Sequence, residues 1–349
     1  IGDIEKIKKK THLQIKRPTS LNLKANEFQY HGWGGGSNLW HGVITNFDRI
    51  DIKNFIKVGI KFKEIYKKFS KSSLSFLDIN NKFKNFKLFK NNKVINECYK
   101  SGLLDLKYFL VQKKPFNTRD KFLKMKNFNN INLIKNTCAL SFEINNNKIK
   151  WLNVYDIEKK LNKIILADIF ILCAGAIETP RIILQSNYKK ISNKYNYVGK
   201  GINDHYKGVL GHIKIDHKVS VIDLPLNKKI NARVGFISKN QDVGNFCLIF
   251  RIKYLESYNK IIRSLKILIA KKNIRNFYNL LKNINVYGLF SLLQRVIWNK
   301  VKSNLINVEI WLETKTRIKN CVILSNKKDT FGRYIPKIKF EFSNYEKKQ

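Results

Sequence analysis

No two of the five cysteines, Cys98, Cys138, Cys173, Cys247 and Cys321, form a CxxC pair. Isolated in this way they read as reduced or buried thiols rather than as a disulfide framework or a zinc site. Histidine is equally sparse. His205, His212 and His217 fall in turn and strand patterns with no matching fourth ligand, so no metal site is expected. No run of about 18 uncharged apolar residues is present, and no signal-peptide pattern opens the chain. The expectation is a soluble or peripherally membrane-bound protein, with the cytoplasm as its compartment. Methionine occurs once, at Met125, and residue 1 is isoleucine, so the natural start is expected upstream.

Acidic residues are few: 25 Asp and Glu stand against 68 Lys and Arg, a formal net charge of +43 over 349 residues. Such a surplus points first to nucleic acid or to an anionic membrane surface. Proline and glycine are also low, at 5 and 17 residues, against average usages of roughly 5% and 7%. Lysine, Asn, Ile, Phe and Tyr are raised together along the whole chain, which is the profile of an AT-rich coding sequence. A nucleic-acid surface would instead crowd its lysines on one face, so coding bias is the favoured explanation and no nucleic-acid partner is expected. With 44% hydrophobic and 12% aromatic residues, the chain is long and apolar enough to bury two cores.

The most informative stretch is Ile169 to Asn187, IFILCAGAIETPRIILQSN. The apolar run Ile169–Cys173 bounded by small residues reads as a buried parallel strand. Thr179 suits a helix cap and Pro180 a first turn, with Ile182, Ile183 and Ser186 recurring at helical spacing. A strand, a tight turn at Ala174–Gly175 and a helix N-terminus make a place where a pyrophosphate can approach the backbone. On this stretch alone, an ordinary crossover without a ligand fits equally well.

Further motifs weigh on that choice. The segment CAGAIETPRIILQSN resembles the second signature of the glucose-methanol-choline family of flavin oxidoreductases, with Asn187 in place of the final glycine. Gly34 to Gly42, GGGSNLWHG, is similar to the family's first signature. Val198 to His205, VGKGINDH, resembles its valine-glycine-x-asparagine segment, and Asn320 to Gly332, NCVILSNKKDTFG, resembles the turn back of its substrate domain. Four matches in order are more specific than any one, and they span the middle of the family.

The resemblance implies an α/β protein: an incomplete FAD/NAD(P)-binding-type domain over residues 1–205, and an α+β substrate domain over 206–349 whose antiparallel sheet carries covering helices. It implies non-covalent FAD, with Gly35, Gly36, Ser37, Asn38, His41 and Gly42 running along the flavin ring. Cys138 or Ala139 would give the backbone contact to the adenine end, and Ala174 and Gly175 the approach to the dinucleotide. Some members bond the flavin covalently to a histidine that would match Leu39, and leucine cannot make that bond. His41 is read as a hydrogen-bond donor near the cofactor or as a packed surface histidine.

Elsewhere the pattern is plainer. Residues 51–69 place Ile52, Phe55, Gly59, Phe62, Ile65 and Phe69 on one stripe, predicting a single core-facing amphipathic helix, with a membrane-surface helix as the alternative. The runs NINLIK, CALSFEI, KIKWLNVY and KIILADIFILC predict successive strands across Asn-rich turns. After His205, HIKIDHKVSVIDL, NARVGFIS and NFCLIFRIKYL predict more strands, and Ser257 to Val301 predicts two or three basic amphipathic helices suited to a peripheral membrane contact. From Ile306 onward the chain reads as strand again, with a turn at Asp329–Gly332.

The function implied by the resemblance is oxidation of an alcohol or sugar CH–OH group by hydride transfer to flavin, the electron acceptor being left open. Neither a G-x-G-x-x-G turn nor a histidine after His217 occurs in the sequence, so the pyrophosphate loop and the catalytic base are expected in flanking sequence. No catalytic residue is therefore assigned. The alternatives are a non-catalytic basic module for nucleic acid or an anionic membrane, and a decayed fragment without activity.

Overall fold

A computed structural model describes residues 14–16, 35–38, 40–47, 49–57, 59, 61–79, 100, 102, 104–124, 130–146, 148–186, 196–220, 224–225, 230–238, 246–252, parts of 260–293, and 302–344. Gly34, Leu39 and Asn187, and the basic opening apart from 14–16, lie outside them. In chain order the strands are β1 (Gln14–Lys16), β2 (Val43–Ile44), β3 (Leu104–Gln112), β4 (Thr137–Asn145), β5 (Lys148–Asp156), β6 (Leu161–Ile165), β7 (His205–Ser220), β8 (Leu224–Pro225), β9 (Ile230–Ser238), β10 (Phe246–Ile252), β11 (Lys302–Glu313), β12 (Cys321–Lys328) and β13 (Tyr334–Lys339). The named helices are α1 (Arg49–Lys57), α2 (Phe62–Phe76), α3 (Thr118–Lys124), α4 (Gly175–Gln185) and α5 (Ile274–Asn283). Among the described residues no helix is long and apolar enough to cross a membrane.

The chain folds as two compact units that it enters more than once. One contains residues 1–41, 115–204 and 314–349; the other contains 42–114 and 205–313.

The second unit is built on a sheet ordered β2-β3-β9-β10-β11-β7, with β8 beside β9. Every pairing in it among the described residues is antiparallel, and the runs after His205 that read as strands supply β7, β9 and β10. Val234, Phe236, Phe250 and Ile306 form its core, with Leu106, Tyr108 and Val308 packed around them. Alternation places these side chains on one face, which is what the strand period requires. The helix predicted over 51–69 is instead two helices. Gly59, at φ +76°, takes the left-handed conformation after α1 and donates its N–H to the Ile56 carbonyl, a glycine stop that ends the first helix. The stripe is only half covered: Phe55 and Phe62 stack at 4.7 Å, while Ile65 and Phe69 face solvent.

The first unit combines a β4-β5-β6 meander with a second sheet ordered β1-β13-β12. Asn146 supplies the left-handed residue between β4 and β5, and Asp156 closes the next turn by accepting from the Glu158 and Lys159 N–H groups. The first of these is the expected Asn-rich turn, whereas the second, residues 156–160, contains no asparagine and is closed by Asp156 instead. Phe142, Ile144 and Ile182 are the buried centre where α4 lies on β4.

Three local expectations fail here. Residues 169–173 are not a strand: β6 stops at Ile165, and the run continues extended with Ile169 78% and Ile171 83% exposed, while Phe170 and Leu172 pack on the α4 core. A parallel strand needs a neighbour offering free backbone groups. The outer edge of β4 does not offer one there, because Gln185 donates to the Leu140 carbonyl and the Ser186 hydroxyl accepts from the Phe142 N–H. Among the described residues the parallel pairing is that of β1 with β13. The run NINLIK is likewise no strand; Ile131 and Ile134 are exposed, and its asparagines give it no continuous apolar face to bury. Finally, α4 begins at Gly175 rather than near Thr179, so Pro180 lies inside the helix. The positive φ of Gly175 makes the turn, and the Thr179 hydroxyl accepts from Ala174 N–H at 3.2 Å instead of capping the turns after it.

Candidate functional site

The first unit brings three of the four motif segments into one interlocked assembly. On α4, Arg181 is 2% exposed, and it donates to Glu178 at 3.2 Å, to Asp329 at 2.8 Å and to the Tyr334 carbonyl at 2.8 Å. Arg333 completes a square of charges, reaching Glu178 at 3.1 Å and Asp329 at 2.9 Å. Two cations and two anions cancel, and each carboxylate serves both guanidinium groups. Asp329 also shapes the β12–β13 turn by accepting from the Phe331 and Arg333 N–H groups. Burial alone would raise its carboxyl, but Arg333, Arg181 and these N–H groups outweigh it and hold it below the usual value.

The third segment docks on the same hairpin. Val322 N–H donates to the Gly199 carbonyl at 2.7 Å, Ile202 N–H donates to the Asn320 carbonyl at 3.0 Å, and Lys200 bridges to Cys321. A Cβ on Gly199, at φ +79°, would lie 2.4 Å from the Val322 carbonyl oxygen. Only glycine permits that approach. Asn320, 1% exposed, exchanges bonds with the Glu341 backbone, and the Thr314 hydroxyl holds the Asp204 carbonyl at 2.5 Å.

The residues expected along a flavin are more dispersed. Gly35 to Asn38 form a 3-10 turn. The Ser37 and Thr118 hydroxyls lie 2.7 Å apart, Thr118 N–H donates to Ser37, and Trp40 donates its indole N–H to the Phe116 carbonyl. The loop is therefore anchored at the start of α3. Among the described residues, nothing lies within 4 Å of a Cβ built on Gly35 or Gly36. His41 is exposed and Gly42 buried; the Gly42 carbonyl accepts from Gln112 N–H. Cys138 and Ala139 sit on β4, paired with Tyr155 and Val154. Burial is the main cause that pushes the Cys138 thiol up to about 11, so it is a neutral, inert group at ordinary pH.

Ala174 and Gly175 are exposed at the start of α4, which has no side-chain cap. Its first N–H groups are thus open to an anion. Glu178 in that first turn would oppose one, but its charge is taken up between Arg181 and Arg333. Among the described residues, no cluster of three His, Cys, Asp or Glu could hold a metal ion.

Sequence reasoning missed the four-charge square. Three of its members, Glu178, Arg181 and Asp329, lie inside the ETPR of one motif and the DTFG of another, and Arg333 follows the second, but their partnership spans about 150 residues and has no period. No family model matches this chain, and no curated protein matches its sequence.

Proposed function

We propose that the chain is the middle of a glucose-methanol-choline-type oxidoreductase that holds FAD non-covalently and oxidises an alcohol or sugar. The observation that carries this reading is the interlock of residues 174–186, 198–204 and 320–333 into one unit. Segments chosen only for their resemblance to one family's motifs prove to be mutual structural partners, which chance matches would not require.

The residues fit the cofactor in two respects. No described residue crowds a Cβ position at Gly36, so a flat ring could approach its backbone, and the N-terminus of α4, without a side-chain cap, suits a pyrophosphate. β4 is the edge of its sheet, and the resemblance would put the adenine contact on a backbone group of Cys138 or Ala139 along that edge. FAD would supply the hydride acceptor; the chain's own part is to bind and orient it. The bare edge at 169–173 limits the reading. A dinucleotide-binding sheet would have to be completed by strands pairing with this stretch, and a decayed or non-catalytic fragment is the second reading that its exposed Ile169 and Ile171 favour.

The test is to express the reading frame with its flanking coding sequence and FAD, and to record the flavin absorbance and its bleaching by alcohols and sugars. A bound flavin spectrum that Gly36→Trp removes is the expected result. A far-ultraviolet circular dichroism spectrum equal to that of wild type checks that the substitution keeps the fold and acts on ring approach. A colourless protein, or a Gly36→Trp variant with full flavin, would sink the cofactor assignment.

A further inference from the structure

The second unit carries exposed apolar side chains on a long stretch that has no acidic residue. Between Ser257 and Val301 the sequence has nine lysines and arginines and no aspartate or glutamate. Within it, α5 turns one edge inward: Leu280 is buried, and Asn283 donates to the Ser264 hydroxyl at 2.9 Å, beside buried Ile261. Its other face points to solvent. Phe277, Tyr278 and Leu281 are 51%, 68% and 51% exposed, and the pattern continues beyond the helix through Val286, Leu289, Phe290 and Leu293. Single exposed apolar residues are ordinary, but three on one helix, followed by four more between Val286 and Leu293, call for a partner.

The charge decides which partner. A second copy would bring the same stretch, rich in lysine and arginine and without an acidic residue, against itself. Nucleic acid would be met by cations and aromatic rings, whereas much of this face is aliphatic. An anionic lipid surface meets both needs, with acyl chains for the apolar side chains and headgroups for the flanking lysines. We propose that α5 and its continuation to Leu293 form an interfacial docking face for an anionic membrane leaflet, lying in its plane. This does not depend on the flavin reading.

The test is flotation of the full chain with vesicles of phosphatidylcholine alone and of phosphatidylcholine mixed with phosphatidylserine. The chain should bind the mixed vesicles and leave the neutral ones. The triple variant Phe277→Ser, Leu281→Ser, Phe290→Ser keeps the net charge, and its affinity should fall about tenfold or more because apolar insertion is lost. Equal binding by variant and wild type would mean that dispersed lysines alone adhere, and would overturn the proposal. So would a variant that alters only self-association in the absence of vesicles. As an independent reading, a Val286→Trp variant at an 80% exposed position should shift its added emission to shorter wavelength with mixed vesicles; no shift overturns the proposal.

Discussion

The two halves of the stretch Ile169–Asn187 behave in opposite ways. From Ile177 onward the chain is fixed on every side: Ile182 is buried, Arg181 is held by four groups, and Ser186 ties the helix end to β4. Ahead of Ala174 the chain is extended, keeps strand-like alternation, and yet pairs with nothing among the described residues. Side-chain pattern and backbone pairing are therefore separable. The alternation of Phe170 and Leu172 inward with Ile169 and Ile171 outward needs only one packed face, whereas a strand needs a neighbour with unspent hydrogen bonds.

The locked half should respond most strongly to substitution. Arg181→Leu leaves Asp329 and Glu178 without one of their two cations in a buried site, and the expected cost is about 3–5 kcal/mol of the first unit's stability. Urea unfolding followed by far-ultraviolet circular dichroism measures it. A loss below about 1 kcal/mol would mean that the square is solvated and does not hold the motifs together. Gly199→Ala tests the second clasp. The new Cβ would meet the Val322 carbonyl oxygen in a left-handed backbone, and about 2 kcal/mol is expected from the conformation and the collision together.

The same square has a pH signature. Because the folded Asp329 carboxyl titrates below its ordinary value of 3.8, its contribution is complete above that value and is lost as pH falls through the folded pKa. Asp329→Asn should therefore be less stable than wild type at neutral pH, and the gap should close only in acid below 3.8. A gap that is constant down to strong acid would assign the effect to the turn's geometry rather than to charge.

Much of the architecture was legible because it rests on local signals. The strand-like apolar runs of β7, β9, β10 and β11 and the asparagines of the β4–β5 turn each carry their own instruction, and the Asp329–Gly332 turn closes as Asp and Gly together predict. The illegible parts depended on neighbours. Nothing in IFILC says whether a pairing strand exists, and nothing in TPR says that its arginine meets an aspartate 148 residues later. At 51–69 the stripe was real, but it predicted one helix because Gly59 counted as a stripe member rather than as a stop. Among the expected site residues, Gly35 to Asn38 do form a tight loop; that a flavin lies along it still rests on resemblance.

The smallest effect is expected in the open half, and it sharpens the comparison most. Ile171 is 83% exposed, whereas Phe170, one residue earlier, lies edge-on to Phe142 at 5.4 Å. Phe170→Ser should cost about 2 kcal/mol from lost burial. Ile171→Ser should fall within about 0.5 kcal/mol of wild type, as surface changes do, and should raise the soluble yield by removing an exposed apolar side chain. Midpoints of urea unfolding and the soluble fraction after expression read both. If the two substitutions instead cost the same, residues 169–173 are covered on both faces in solution. The stretch would then be paired after all, and the contrast between the halves would dissolve in favour of the buried strand that the apolar run first suggests.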